Sequence, residues 1–224
     1  LGVLALWIYN ICTHEAFFAA TECQRLALYF TLSGVVIQKV TSAFAHIFEG
    51  VSLRVNESVW YLDFWGVATV ASNNTPILVF ICIPATAEGL AMRVILAAAV
   101  GFAVVGLGAV ICALSDSTSE RSRKLIANSM YFAMVVDMTI STYMALWLGS
   151  GWTQLAISFF GIGLCVKMTF FPECVVGKGS CDCMPWHSHC LWHCFVNAAE
   201  FAYLMLALQW VGIPFASLNE LTML

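Results

Sequence analysis

Charge is what this chain lacks. Asp, Glu, Lys and Arg make up 10% of its 224 residues, where soluble domains carry roughly 25%. Hydrophobic residues make up 61%, and the mean hydropathy is +0.88. A soluble core of this size cannot hide so much apolar surface, so the composition places the chain in a membrane. The nine basic residues are scattered and the net charge is −4, which excludes a nucleic-acid partner. There is no low-complexity tract, no obvious repeat and no separate soluble stretch, so residues 1–224 read as one domain. No basic segment and small-residue cleavage site frame the first apolar run, so no signal peptide is expected. A start at Leu1 rather than Met predicts a fragment or a trimmed chain.

Long apolar runs are what the chain has instead. A helix crossing a bilayer needs about 20 mostly apolar residues. That ruler predicts seven spans, at about 1–21, 25–48, 59–83, 90–114, 126–149, 151–172 and 188–213. The connections are short. The expected fold is therefore all-α, a seven-transmembrane helix bundle. Thr13-His14-Glu15 interrupts the first span, and the fourth carries Gly101, Gly106 and Gly108, small residues that let helices approach closely. With seven spans, Arg54, Arg121, Arg123, Lys124 and Lys178 share the side of the N-terminus, against Arg25 and Arg93 opposite. The positive-inside rule then predicts a multi-pass protein with its N-terminus cytoplasmic and its C-terminus outside. The sequon Asn56-Glu57-Ser58, in the loop between spans two and three, argues the other way.

Polar groups at membrane depth are costly and mark function by default. Three of the five histidines fall within His187-Ser188-His189-Cys190-Leu191-Trp192-His193. His189 and His193 are spaced i and i+4, so one helix face carries both imidazoles. Ser42 and His46 repeat that spacing at the end of span two, and Asp63 lies about one turn inside span three. Counting spans puts the end of span two and the starts of spans three and seven on one membrane face. Ser42, His46, Asp63, His189 and His193 can therefore converge at one depth. Three neutral imidazoles and a water make a tetrahedral zinc site with an open position. Zinc lowers the pKa of such a water to about 7, and Asp63 is placed to hold the water or accept its proton.

Other readings compete. A single intramembrane histidine is more often a hydrogen-bonded core residue, and that describes His14 and His187 better than a ligand role. Cys181, Cys183, His187 and His189 form a compact set that suits a structural zinc ion instead. Ten cysteines is a high count. Cys12, Cys82, Cys112 and Cys165 sit in apolar runs as small hydrophobes. Cys174, Cys181, Cys183, Cys190 and Cys194 surround the histidines, where a disulfide would form if that side is oxidising. Asp137, Lys39, Lys167 and Glu200 are intramembrane charges outside any constellation. The lysines are expected to snorkel or pair, and the acids to line a cavity or hold a structural hydrogen bond.

At these residues the chain resembles the progestin and adipoQ receptor (PAQR) family of the CREST superfamily. Ser42-Ala43-Phe44-Ala45-His46 is similar to the family's Ser-x-x-x-His closing helix two. Leu62-Asp63-Phe64-Trp65-Gly66 is similar to its Leu-Asp-Tyr-x-Gly opening helix three. Pro172-Glu173, Gly177-Lys178 and Ser188-His189-Cys190-Leu191-Trp192-His193 follow its order before helix seven. Cys174 stands where the family usually has Arg, and the loop before helix seven is rich in cysteine. The resemblance implies a seven-helix fold with zinc on His46, His189 and His193, Asp63 as the water's partner and Ser42 as a hydrogen-bonding neighbour. It implies hydrolysis of a lipid amide of the ceramide type by zinc-activated water, coupled to receptor signalling. The expected partners are a membrane lipid (ceramide, fatty acid or steroid) and an extracellular ligand. The alternatives it leaves are a receptor with structural zinc and a myomaker-like membrane-remodelling factor.

Overall fold

The structure, a computed structural model, describes residues 2–48, 51, 53–82, 85–87, 89–91, 94, 124, 128, 135, 139, 142–143, 146–177 and 188–214. Among them the ordered elements are helices, with no strand. Seven α-helices have defined bounds: α1 Gly2–Thr13, α2 Glu15–Ala19, α3 Glu22–Phe48, α4 Leu53–Cys82, α5 Gly151–Thr169, α6 Glu173–Val176 and α7 Ser188–Val211. Several of these are too short to span a bilayer, so this count is unrelated to the expected seven spans. Spans 90–114 and 126–149 lie outside the described residues apart from isolated positions. The chain divides into two compact units, 1–144 with 207–224, and 145–206.

In the first unit, the break expected near His14 is present. The His14 backbone is extended (φ −71°, ψ 136°), and its Nδ1 accepts from the Ala16 N–H at 3.2 Å, capping α2. The imidazole thus serves a helix end, consistent with a structural role. Helix α3 begins three residues earlier than the apolar run, because Thr21 and Gln24 cap each other. The Thr21 N–H donates to Gln24 Oε1 at 2.8 Å, and the Gln24 N–H donates to Thr21 Oγ1 at 3.2 Å. Gln24 Nε2 also donates to the Trp210 carbonyl at 2.9 Å. There α7 ends on Gly212 (φ 85°), and Ile213 donates back to the Leu208 carbonyl.

Helix α3 wears its polarity on the inside. Thr31, Gln38 and Thr41 are buried, while Tyr29, Val40, Phe44 and Ile47 face outward. A water-soluble helix shows the reverse. This distribution suits hydrocarbon, where polar groups must find partners within the protein. Helices α3, Gly151–Val176 (α5 through α6) and α7 are long and apolar enough to cross a membrane. At 1.5 Å per residue, the 27 residues of α3 reach about 40 Å, against a hydrocarbon core of about 30 Å.

Helix α4 packs on α3 through small residues. A Cβ added at Gly34 would lie 2.9 Å from Asn73 Cβ, and one at Gly66 would collide with Thr41 Oγ1. Asn73 Nδ2 donates across the pair to Ser33 Oγ at 3.1 Å. Helix α4 starts at Leu53, six residues before the expected span. The sequon at 56–58 therefore lies in helical backbone rather than in a loop. Asp63 consequently sits almost three turns inside α4, and it is buried.

In the second unit, α5 ends at Phe170, whose left-handed backbone (φ 52°, ψ 41°) directs its N–H to the Val166 carbonyl. Pro172 then prevents the helix from continuing. The α5–α7 packing is also close. A Cβ on Gly163 would lie 2.8 Å from Phe195 Cβ and 3.2 Å from Trp192 Cε3. Beside it, the Phe160 and Trp192 rings meet edge to face with centroids 5.5 Å apart.

These contacts separate two otherwise similar substitutions. Gly66→Ala is expected to destabilise the protein by about 1–3 kcal/mol, read as a lower melting temperature in detergent. Gly161, in mid-helix, has nothing within 4 Å of an added Cβ, so Gly161→Ala is expected to be neutral or to stabilise by up to about 1 kcal/mol. Equal melting temperatures for the two variants would count against the close approach of α3 and α4.

Candidate metal centre

The first two turns of α7 carry the paired histidines. Ser188 opens the helix, and its N–H donates to Glu173 Oε1 at 2.7 Å. A carboxylate at this end satisfies a backbone donor that has no intrahelical partner and complements the positive end of the helix dipole. One turn on, Trp192 is buried against Phe160 and Gly163, which fixes the rotation of α7 about its axis. His189 and His193 then emerge together as their spacing predicts. Their rings are nearly perpendicular (89°), with centroids 4.5 Å apart, and the two Nε2 atoms lie 3.1 Å apart.

The other nitrogen of His189 is also engaged, with Lys167 Nζ 3.1 Å from its Nδ1. A lysine ammonium has only donors, so toward it this Nδ1 can act only as an acceptor. Lys167 lies in the last turn of α5, where a cation also complements the negative end of the helix. Sequence reading assigned Lys167 no place in the site. The α5–α7 register places it there: the contact of Gly163 with Trp192 puts Lys167 one turn further on, beside His189.

With His46, the two histidines of α7 make a group of three that could hold a metal ion. With metal–N bonds of about 2.0–2.1 Å, as zinc makes, tetrahedral ligands sit about 3.3 Å apart, and the 3.1 Å between the two Nε2 atoms suits such a pair. Imidazole nitrogen is a common zinc donor. His46 is exposed at the end of α3, and Ser42, one turn earlier on the same face, is half-buried. Asp63 is buried in α4. Cys181, Cys183 and His187, the core of the rival structural-zinc set, lie outside the described residues, as does Asp137. Among the described residues, Cys174, Cys190 and Cys194 form no disulfide. Lys39 pairs locally, donating to Gln38 Oε1 at 2.8 Å, and Glu200 is buried on α7.

Comparison with known families decides the ancestry of this arrangement. The family model described as haemolysin-III related matches residues 1–204. The chain belongs to the haemolysin-III related family. This is the PAQR family of the CREST-like membrane hydrolase superfamily, as the Ser-x-x-x-His, Asp and His-x-x-x-His motifs implied. No curated protein matches the chain. As a haemolysin-III related protein with apolar helices of spanning length, it is an integral membrane protein.

The Glu173 contact is directly testable. Glu173→Ala is expected to destabilise the protein by about 1–2 kcal/mol through loss of the cap. Glu173→Gln keeps an acceptor and is expected to lose half of that or less. Thermal melts of the two variants and the parent in detergent measure it. An unchanged melting temperature for Glu173→Ala would remove the cap from the account of how α7 is held.

Proposed function

We propose that this haemolysin-III related protein is a seven-helix, multi-pass enzyme that hydrolyses a membrane-lipid amide of the ceramide type, using zinc held by His46, His189 and His193. The observation that carries the reading is the pair of facing imidazoles at the start of α7, whose Nε2 atoms lie 3.1 Å apart, with His46 as the third histidine of the group that could hold a metal ion. Zinc at this position supplies Lewis acidity toward a carbonyl oxygen and toward water.

The chain's own residues supply the rest. Asp63 takes the proton of the attacking water on a carboxylate oxygen and delivers it to the departing amine. It is buried in α4, away from bulk solvent. Ser42, on the His46 face of α3, hydrogen-bonds the substrate at the edge of the site. A substrate dissolved in the bilayer suits a protein whose helices turn Tyr29, Val40, Phe44 and Ile47 of α3 and Leu155, Ile162 and Met168 of α5 outward. The distribution of lysine and arginine supports a cytoplasmic N-terminus and an outside C-terminus. In that orientation an extracellular ligand would couple the hydrolase to receptor signalling.

Elemental analysis and an amide-hydrolysis assay on purified protein test this together. The parent is expected to contain one zinc and to release fatty acid from ceramide, and His189→Ala is expected to lose the metal. Asp63→Asn is expected to keep zinc and lose about 100-fold or more of the rate. Zinc retained by His189→Ala would overturn the ligand set. Zinc present in a parent that turns over no ceramide would move the reading to a receptor with structural zinc.

A further inference from the structure

We propose that α3 and α4 bind one buried water molecule at hydrocarbon depth, between Thr31 Oγ1 and Asn74 Oδ1, as a structural ligand of the helix pair. The site is separate from the histidines and does not depend on the zinc reading. Thr31 is fully buried, and Asn74 is 2% exposed. Among the described residues, neither Thr31 Oγ1 nor Asn74 Oδ1 has a hydrogen-bond partner. A threonine within a helix can satisfy itself by donating to a carbonyl three or four residues earlier. Thr41 donates in this way to Gln38 at 3.1 Å, and Thr69 to Trp65 at 2.8 Å. The Thr31 hydroxyl makes no such bond. On α4, Ser33 answers Asn73, but no side chain among those described answers the Asn74 oxygen.

The packing of the pair brings both groups to one level. Gly34 meets Val70 and Asn73, and Gly66 meets Gln38 and Thr41, so the two helices run antiparallel. Thr31 precedes Gly34 by one turn, and Asn74 follows Val70 by one turn. In antiparallel helices those two steps lead to the same level. Thr31 stands nine residues into α3, about 14 Å along its axis, a depth at which no bulk water is at hand. Pro76, two residues beyond Asn74, has no N–H to give the Ser72 carbonyl, so this turn of α4 is short of a donor as well. An amide oxygen only accepts, whereas a hydroxyl both donates and accepts. The occupant must therefore donate to Asn74 and can bond Thr31 in either sense. Water does both, and it is the molecule small enough for a place so fully enclosed.

Thermal melts and infrared spectra of purified parent, Thr31→Val, Asn74→Leu and the double variant test this. A bound water gives a narrow O–D stretch in heavy water that shifts when the oxygen is replaced by oxygen-18. The parent is expected to show that band, and each single variant to lose it. Each single variant is expected to melt about 2–8 °C lower than the parent. The double variant is expected to melt no lower than the worse single one, because the water leaves with its first partner. Polar groups buried with nothing to bond would behave in the opposite way, since their apolar replacements relieve a cost. Higher melting temperatures for Thr31→Val and Asn74→Leu therefore overturn the inference, as does a band that survives in Thr31→Val. If Asn74→Leu does not yield monodisperse protein, Thr31→Ser against Thr31→Val decides. Serine keeps the hydroxyl and is expected to keep the band, and its loss from both variants alike overturns the role of the hydroxyl.

Discussion

A bilayer offers a buried polar group no water, so each such group must be answered from within the protein. That constraint organises what is seen here. Helix α3 turns Thr31, Gln38 and Thr41 inward and its large apolar side chains outward. Asn73 reaches Ser33, Lys39 reaches Gln38, and Gln24 reaches the carbonyl of Trp210. Each bond satisfies a group that would otherwise cost several kcal/mol in hydrocarbon. The same rule makes a pair of facing imidazoles informative. Two histidines set 3.1 Å apart at their Nε2 atoms spend their hydrogen-bonding capacity on each other in one state and on a shared cation in another.

Close helix contact is the second requirement, and the glycines meet it without polar cost. Lipid tails are as apolar as leucine, so membrane helices gain little from burying apolar surface against each other. Packing and hydrogen bonds hold them instead. Gly34 and Gly66 bring the α3 and α4 backbones together, and Gly163 does the same for α5 and α7. Gly66 lies three residues after Asp63, so the contact that seats α4 on α3 also fixes the acid. The functional residues are therefore positioned by packing within one turn of them.

Much of this was legible in the sequence. Apolar runs of bilayer length located α3, α5 and α7 to within a few residues, because hydropathy over some 20 positions averages out local noise. The motif order identified the family, and the i, i+4 spacing anticipated the facing imidazoles of His189 and His193. The Thr13-His14-Glu15 interruption was visible as polarity, although that His14 caps α2 with its own ring was not. Helix boundaries were less legible. Nothing apolar marks Leu53 as the start of α4, since the six residues ahead of the expected span are polar or mixed and form helix all the same. Lys167 was legible as a costly intramembrane charge but not as a neighbour of His189. That contact depends on the α5–α7 register, which a linear pattern does not carry.

The opening turn of α7 shows how far such a site is prepared before any ion arrives. Glu173 fixes the backbone at Ser188, Lys167 fixes one ring nitrogen of His189, and Phe160 with Gly163 fixes Trp192 between the two histidines. Each contact removes a rotation that metal binding would otherwise have to freeze, and freezing a side chain costs on the order of 1 kcal/mol. A pair of imidazoles held this firmly would meet an ion with little left to freeze.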